Sequence, residues 1–207
     1  MGAFTDAVIA IALTVMVLEL RPPTHASWHA LSTVVRPFLA YVLSFAYLGT
    51  YWNNHHHMLA AVSRVSGSAL WANLHLLFWL TLVPFATEWM SDKGFAPVPT
   101  ALYGVLLLLA GVAYWILQGR LLAAEGPGSR LRAAIGRDLK GKLTPAIYIA
   151  GILLTLVDQW LGVAMYVVAA VIWFVPDRRV ERLLAHERAE SEPASVQRSA
   201  ADNGSVR

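Results

Sequence analysis

Six apolar segments separated by polar stretches dominate the chain. They lie near residues 4–20, 37–57, 69–90, 98–119, 143–158 and 160–176. Segments of this kind are typical of membrane-spanning helices, although several are shorter than the ~20 residues that usually cross a bilayer. The breaks between them contain helix-terminating residues, such as Pro22-Pro23 and Gly126-Pro127-Gly128. The pattern predicts an all-α integral membrane protein with a bundle of six transmembrane helices in each protomer.

Composition agrees with a membrane protein and divides the chain into two parts. Of the 207 residues, 57% are hydrophobic and only 14% are charged, which is too apolar for an ordinary soluble domain. Residues from about 184 onward are instead rich in Glu, Ser, Ala and Arg. We therefore predict a transmembrane domain over residues 1–183 and a disordered cytoplasmic tail over residues 184–207. The chain has no cysteine, which excludes a disulfide framework, a thiolate metal site and a cysteine nucleophile.

The basic residues predict the orientation of the bundle. Six spans place both termini on the same side of the membrane, and thirteen of the sixteen lysines and arginines fall on that side. Only Arg21, Arg36 and Lys93 lie in the segments on the other side. Because short cytoplasmic loops carry the excess of positive charge, both termini are predicted to be cytoplasmic. Membrane topology thus accounts for the high pI of about 9.4, so the expected partner is the lipid bilayer and not nucleic acid.

Several polar residues of the first three segments are predicted to lie at one depth, near the cytoplasmic face. They are Asp6 in the first segment, Asn54, His55 and His56 at the end of the second, and Asn73 near the start of the third. A carboxylate at this depth is costly unless donors surround it, and histidine and asparagine side chains supply donors. We therefore predict a hydrogen-bond network between helices that is centred on Asp6.

The histidine run also suggests two alternatives, a metal site and a proton sensor. Adjacent residues of a helix point about 100° apart, so at most two of the residues in His55–His57 can face one ion. Histidine titrates near neutral pH, so proton sensing stays open beside the network. We favour the network and assign no metal ligand.

Within the first segment, Ile11, Val15 and Leu18 recur at i, i+4 and i+7. This spacing places them on one stripe of a helix, which either packs against another helix or lines a pathway. Thr14 lies beside the stripe as the one polar residue between Ala7 and Leu18. Its hydroxyl either bonds the carbonyl of Ala10 or offers an oxygen to a passing cation.

Three groups of residues resemble the transmembrane-protein-175 family of potassium channels. The family's hallmark, Arg-x-x-x-Phe-Ser-Asp at the start of the first span, is matched in part by Phe4-Thr5-Asp6, with Thr replacing Ser. The run Trp52-x-Asn54-His55-His56 resembles the second span, and Asn73-Leu74 with Pro84-Phe85 resembles the third. The motifs cover residues 4–90, and the chain is most similar to short prokaryotic members with one six-helix repeat.

The resemblance implies a potassium-preferring cation channel of the cell membrane that is multi-pass and homotetrameric. Four copies of the first helix would line the pore, with Ile11, Val15 and Leu18 as its apolar constriction, acting as gate and filter, and Thr14 as an ion-coordinating hydroxyl. The network residues would be Phe4, Thr5, Asp6, Trp52, Asn54, His55, His56 and Asn73. Potassium and other monovalent cations would be its permeant ions, and neither a cofactor nor a catalytic residue is implied.

Two other functions fit the same residues. Intramembrane Asp and His also suit a proton- or ion-coupled secondary transporter. A membrane metalloenzyme that uses Asp6 with the histidine run is the weaker alternative, because the run can present few ligands to one ion.

Overall fold

A computed structural model describes residues 1–126, 131–132 and 139–174, and every regular element in these ranges is an α-helix. The helices are α1 (Gly2–Leu18), α2 (Trp28–Ser32), α3 (Val35–Ala60), α4 (Gly67–Thr81), α5 (Val83–Asp92), α6 (Pro97–Glu125), α7 (Leu139–Leu154) and α8 (Gln159–Phe174). The all-α prediction is confirmed for this part of the chain. The predicted tail at residues 184–207 lies outside the described residues.

The third apolar segment forms two helices instead of one. Helix α4 ends at Thr81 and α5 begins at Val83, with Pro84 in its first turn. Proline has no backbone N–H and its ring clashes with the preceding turn, so the helical hydrogen bonds are interrupted there. The short helix α2 was not predicted from the sequence. Its start is fixed by Ser27, whose hydroxyl accepts a hydrogen bond from the Ala30 N–H at 3.1 Å.

Helix α6 occupies the centre of the bundle, where it packs against α4, α5, α7 and α8. Small residues along α6 permit close approach of its neighbours. A Cβ on Gly104 would collide with the ring of Tyr166, which belongs to α8 and is fully buried. The Tyr47 hydroxyl in turn donates to the Tyr166 carbonyl at 2.6 Å and so connects α3 to α8. These buried tyrosines join helices that are distant in sequence.

Helix α1 packs against α3, α4 and α5 through one face only. The buried residues of α1 are Thr5, Ile9, Ala12 and Met16, which recur every three or four positions. Val8 and Leu13 beside them are half-buried, and the opposite side of the helix is exposed in the described part of the protomer. The protomer therefore packs against one side of α1, and the opposite, exposed side is called the bare side below.

By length and composition, two helical stretches in the described ranges are long and apolar enough to cross a membrane, Gly67–Asp92 and Pro97–Glu125. Three further apolar helices are shorter, Gly2–Leu18, Leu143–Leu154 and Gln159–Trp173. Helix α3 has 26 residues, but the polar run at residues 53–57 makes it less apolar than these five stretches. The number of spans and the cytoplasmic location of the termini therefore stay predictions.

Candidate functional site

The bare side of α1 carries the apolar stripe that the sequence indicated. Ile11, Val15 and Leu18 are exposed by 61%, 39% and 78%, whereas Ile9 on the packed side is exposed by only 2%. We call Ile11, Val15 and Leu18 the α1 stripe. Their spacing places them one above another along about 10 Å of helix. The structure thus brings these three residues together on a surface that the described part of the protomer leaves exposed.

Thr14 lies on the same bare side of α1. Its hydroxyl donates to the carbonyl of Ile11 at 2.8 Å, not to the carbonyl of Ala10 that the sequence suggested. The difference is one residue of helical register, since threonine reaches either the third or the fourth preceding carbonyl. The hydroxyl oxygen keeps its capacity to accept, because the hydrogen bond uses only its proton.

A buried network of three side chains joins α1, α3 and α4 at the N-terminal end of α1. The Asn73 side-chain N–H donates to the Thr5 hydroxyl oxygen at 2.9 Å. The Asn73 side-chain oxygen lies 2.8 Å from Nε2 of His55. All three residues are almost completely buried, at 0%, 2% and 1% exposure for Thr5, Asn73 and His55. We call this the Thr5–Asn73–His55 network.

The geometry assigns the proton of the His55 ring. An amide oxygen only accepts hydrogen bonds, so Nε2 of His55 must be the donor to Asn73. In the neutral ring, Nδ1 is then an acceptor, and it has no partner among the described residues. A neutral imidazole therefore satisfies the network, with one unpaired acceptor left on the far side of the ring.

Asp6 differs from the prediction, because it is neither buried nor part of that network. Its carboxylate accepts a hydrogen bond from the indole N–H of Trp52 at 2.9 Å, in an exposed location. The Trp52 ring lies beside His56, with ring centroids 5.8 Å apart. Thr5 and Asp6 are adjacent on the helix and point about 100° apart, so only one of them faces the interior. Asp6 therefore joins α1 to α3 at the surface, and Thr5 takes the buried place.

The other predicted network residues lie elsewhere. Phe4 is exposed by 57%, and His56 is also exposed. Asn54 points away from α1 and lines a cavity between α3 and α6. The cause is again helix geometry. Asn54, His55 and His56 are consecutive residues of α3, so their side chains point about 100° apart and have different surroundings. Within the described residues, no three His, Cys, Asp or Glu side chains converge on a possible metal position.

Sequence reasoning placed Asp6 at the centre and treated Thr5 as part of a motif. The helical period of α1 identifies its buried polar residue. Thr5, Ile9, Ala12 and Met16 fall at i, i+4, i+7 and i+11, which is the spacing of a packed face. That spacing identifies Thr5 as the buried polar residue of α1.

Comparisons with known proteins place this geometry in context. A family described as the endosomal/lysosomal potassium channel TMEM175 matches residues 1–84, which contain α1, α3 and α4 and therefore the whole network. A potassium channel from Chryseobacterium sp. (strain P1-3) is 45% identical over 182 residues, which cover 88% of this chain and 95% of the relative. A potassium channel from Streptomyces collinus (strain DSM 40733 / Tue 365) is 30% identical over 153 residues, covering 65% and 74%.

A solved structure agrees with the same assignment. The crystal structure of a lysosomal potassium-selective channel TMEM175 homolog from Chamaesiphon minutus is 26% identical in sequence to this chain. The two folds agree with a TM-score of 0.71 over 84% of this chain and 94% of the homolog. The similarity therefore extends well beyond the residues that the family matches.

Proposed function

The chain belongs to the TMEM175 family of potassium channels, and from that premise we propose that it is a potassium-preferring cation channel whose pore is lined by α1. It is a membrane protein of a channel family and not an enzyme, which excludes the metalloenzyme alternative. The observation that carries the pore proposal is the α1 stripe, an apolar row that the described part of its own protomer leaves exposed.

An exposed row of side chains on one helix does not enclose a conduit by itself, so the proposed pore requires several copies of the chain. A closed ring of identical subunits would bring one α1 from each around a common axis. The packed face of α1 is held by α3, α4 and α5, so only its bare side is free to face that axis. We propose a homotetramer in which Ile11, Val15 and Leu18 form stacked rings.

The stacked rings would act as both gate and filter. Water leaves a narrow apolar ring readily, and an ion crossing it must shed hydration without receiving polar replacements. Potassium holds its water less tightly than sodium does, so such a barrier favours potassium. Thr14 adds one hydroxyl oxygen per subunit beside the stripe, where a partly dehydrated cation would meet it.

The membrane arrangement follows from the same proposal. We propose six spans per protomer, with α4 and α5 forming one interrupted span and α2 lying between spans. Both termini would be cytoplasmic, and residues 1–183 would form the channel domain of a multi-pass cell-membrane protein. In this orientation the Thr5–Asn73–His55 network lies at the cytoplasmic end of the pore helix, and Leu18 lies toward the outside.

Planar-bilayer recording of the purified protein tests the proposed function. Under bi-ionic potassium and sodium conditions we expect discrete single-channel currents that rise linearly with voltage. The sign of their reversal potential should indicate a preference for potassium over sodium. A flux that saturates with ion concentration and shows no discrete openings would contradict the channel and favour the coupled transporter.

Replacement of Thr14 by valine tests the hydroxyl beside the stripe. We expect the preference for potassium over sodium to fall by about fivefold, the effect of losing one modest hydrogen bond, while the pore still opens. The matched control is Thr81→Val, because Thr81 is also exposed and donates to its third preceding carbonyl, that of Phe78, at 2.9 Å. The same reversal potential in Thr14→Val and Thr81→Val would remove Thr14 from the ion pathway.

A further inference from the structure

A groove between α3 and α8 combines a long apolar bed with a cationic end. Its volume is about 380 Å³, which lies within the range of about 300–1,000 Å³ that is usual for ligand sites. The bed is formed by Leu39, Val42, Leu43, Ala46, Val163, Val167, Ala170 and Val171. Arg36, Phe95 and Trp160 line one end. We call it the α3–α8 groove.

The length of the α3–α8 groove matches one leaflet of a membrane. On α3 its lining runs from Arg36 to Ala46, and on α8 from Trp160 to Ala170. Ten residues of helix at 1.5 Å each extend about 15 Å. The hydrocarbon core of a bilayer is about 30 Å thick, so one leaflet contributes about 15 Å. With Arg36 at the membrane surface, the apolar bed therefore reaches to about the middle of the bilayer.

The turn after α5 shapes the cationic end. A Cβ on Gly94 would lie 3.5 Å from Nη1 of Arg36, so the guanidinium rests against this turn. Phe95 follows with a φ of 63°, and its N–H donates to the Met90 carbonyl at 2.8 Å. Left-handed backbone is unfavourable for a residue with a Cβ. Here it accompanies a ring contact between Phe95 and Trp160, with centroids 5.3 Å apart, and so fixes an aromatic pair beside the guanidinium.

The charge at this end is mainly that of Arg36. Asp158 precedes α8, and its Oδ1 accepts the N–H of Trp160 at 2.8 Å, so this carboxylate caps the helix. Lys93 pairs with its neighbour Asp92 at 2.8 Å. Arg36 itself is exposed in the described part of the protomer. A guanidinium presents five N–H donors in a planar fork that fits two oxygens of a phosphate group.

We propose that the α3–α8 groove binds an anionic phospholipid, with one acyl chain on the apolar bed and the phosphate on Arg36. The surrounding lipid tails are as apolar as the groove, so burial of the chain gives little preference by itself. Selectivity comes from the headgroup, because a zwitterionic lipid also carries a cation that Arg36 repels. The proposal rests on the membrane arrangement proposed above, and its residues are not those of the α1 stripe.

The test is native mass spectrometry of the full chain in detergent, titrated separately with dioleoylphosphatidylglycerol and dioleoylphosphatidylcholine. We expect one tightly bound phosphatidylglycerol per protomer, with an affinity about tenfold higher than that of phosphatidylcholine. The readout involves no ion conduction. Failure of this proposal is therefore distinguishable from failure of the channel proposal.

Two variants test the headgroup contact. Arg36→Gln removes the guanidinium, and the affinity for phosphatidylglycerol should fall about tenfold, to that of phosphatidylcholine. Arg21→Gln is the matched control. Arg21 is also exposed and is predicted on the same side of the membrane, but it does not line the groove, so this variant should bind as the original chain does.

Two further variants test the apolar bed. Val167 and Val168 are adjacent on α8 and similarly exposed, by 43% and 47%, but only Val167 lines the groove. Val167→Phe puts a ring where the acyl chain would lie, so the affinity for phosphatidylglycerol should fall about fivefold. Val168→Phe adds the same ring outside the groove and should leave the affinity unchanged.

Four outcomes would overturn the proposal. The first is equal affinity of the original chain for the two lipids. The second is binding of phosphatidylglycerol by Arg36→Gln as tightly as by Arg21→Gln. The third is equal binding by Val167→Phe and Val168→Phe. The fourth is loss of the oligomer in Val167→Phe but not in Val168→Phe, which would mean that a second copy of the chain, and not a lipid, covers the groove.

Discussion

Replacing Ile11 by asparagine is expected to raise single-channel conductance severalfold and to abolish most of the preference for potassium over sodium. Ile11 is exposed by 61% on the bare side of α1, so an asparagine there faces the proposed axis without disturbing the protomer. Four amides would keep the narrow ring wet and would supply oxygens to an ion that crosses it. The dehydration barrier that separates the two ions would fall accordingly. Single-channel recording under bi-ionic conditions measures both effects.

The same substitution two positions earlier is the matched control. Ile9 is exposed by only 2% and belongs to the packed face of α1. Ile9→Asn removes a buried apolar side chain and strands an amide, so it should lower the free energy of unfolding by about 2–5 kcal/mol. It should not produce a wetter pore in those molecules that still assemble. An Ile11→Asn channel that assembles with unchanged current and selectivity would sink the proposal that α1 lines the pore.

The helical fold was largely predictable because long apolar segments leave few alternatives. The helices lie close to the predicted segments, and a serine cap or an N-terminal proline marks the start of α2, α4, α5 and α6. The break at Leu82 agrees with Pro84, which interrupts helical hydrogen bonds, but a proline in the sequence does not by itself show that two separate helices result. Helix α2 escaped prediction because it depends on a single capping contact from Ser27.

The α1 stripe was predictable for a related reason. A spacing of i, i+4 and i+7 fixes which residues share one side of a helix, whatever that helix packs against. The period alone does not show which side is buried, and it therefore left both packing and lining open. The protomer shows that the stripe is not the side packed against its own helices, because Thr5, Ile9, Ala12 and Met16 occupy that side. That the stripe lines a pore stays a proposal.

The polar network was predicted between the right three helices but with the wrong central residue. Membrane depth is set by topology, which the sequence indicates, whereas partner choice depends on the rotation of each helix. Thr5 and Asp6 are neighbours in sequence, and a rotation of about 100° exchanges their environments. The cavity beside Asn54 could not be predicted for the same reason. Its lining depends on how α3, α6 and α7 are rotated about their own axes relative to one another.

Helix α1 turns Thr5, and not Asp6, toward the interior of the protomer. We therefore expect the loss of Asn73, which bonds Thr5, to destabilise the protein more than the loss of Asp6. Asn73→Ala leaves the Thr5 hydroxyl and the Nε2 proton of His55 without partners in a buried place. Each stranded group costs about 1–3 kcal/mol, so the melting temperature should fall strongly and assembly into oligomers should weaken. Thermal melting and native mass spectrometry of the purified protein measure these two effects.

Two further variants set the scale for that loss. Asn53→Ala makes the same chemical change on the exposed surface of α3 and should leave the melting temperature almost unaltered. Asp6→Ala removes an exposed hydrogen bond from Trp52, which is worth about 0.5–1.5 kcal/mol, so its effect should fall between the other two. The network explanation requires this order. If Asp6→Ala were the most damaging of the three, the carboxylate would be the true anchor of α1, and the buried amide would be a secondary contact.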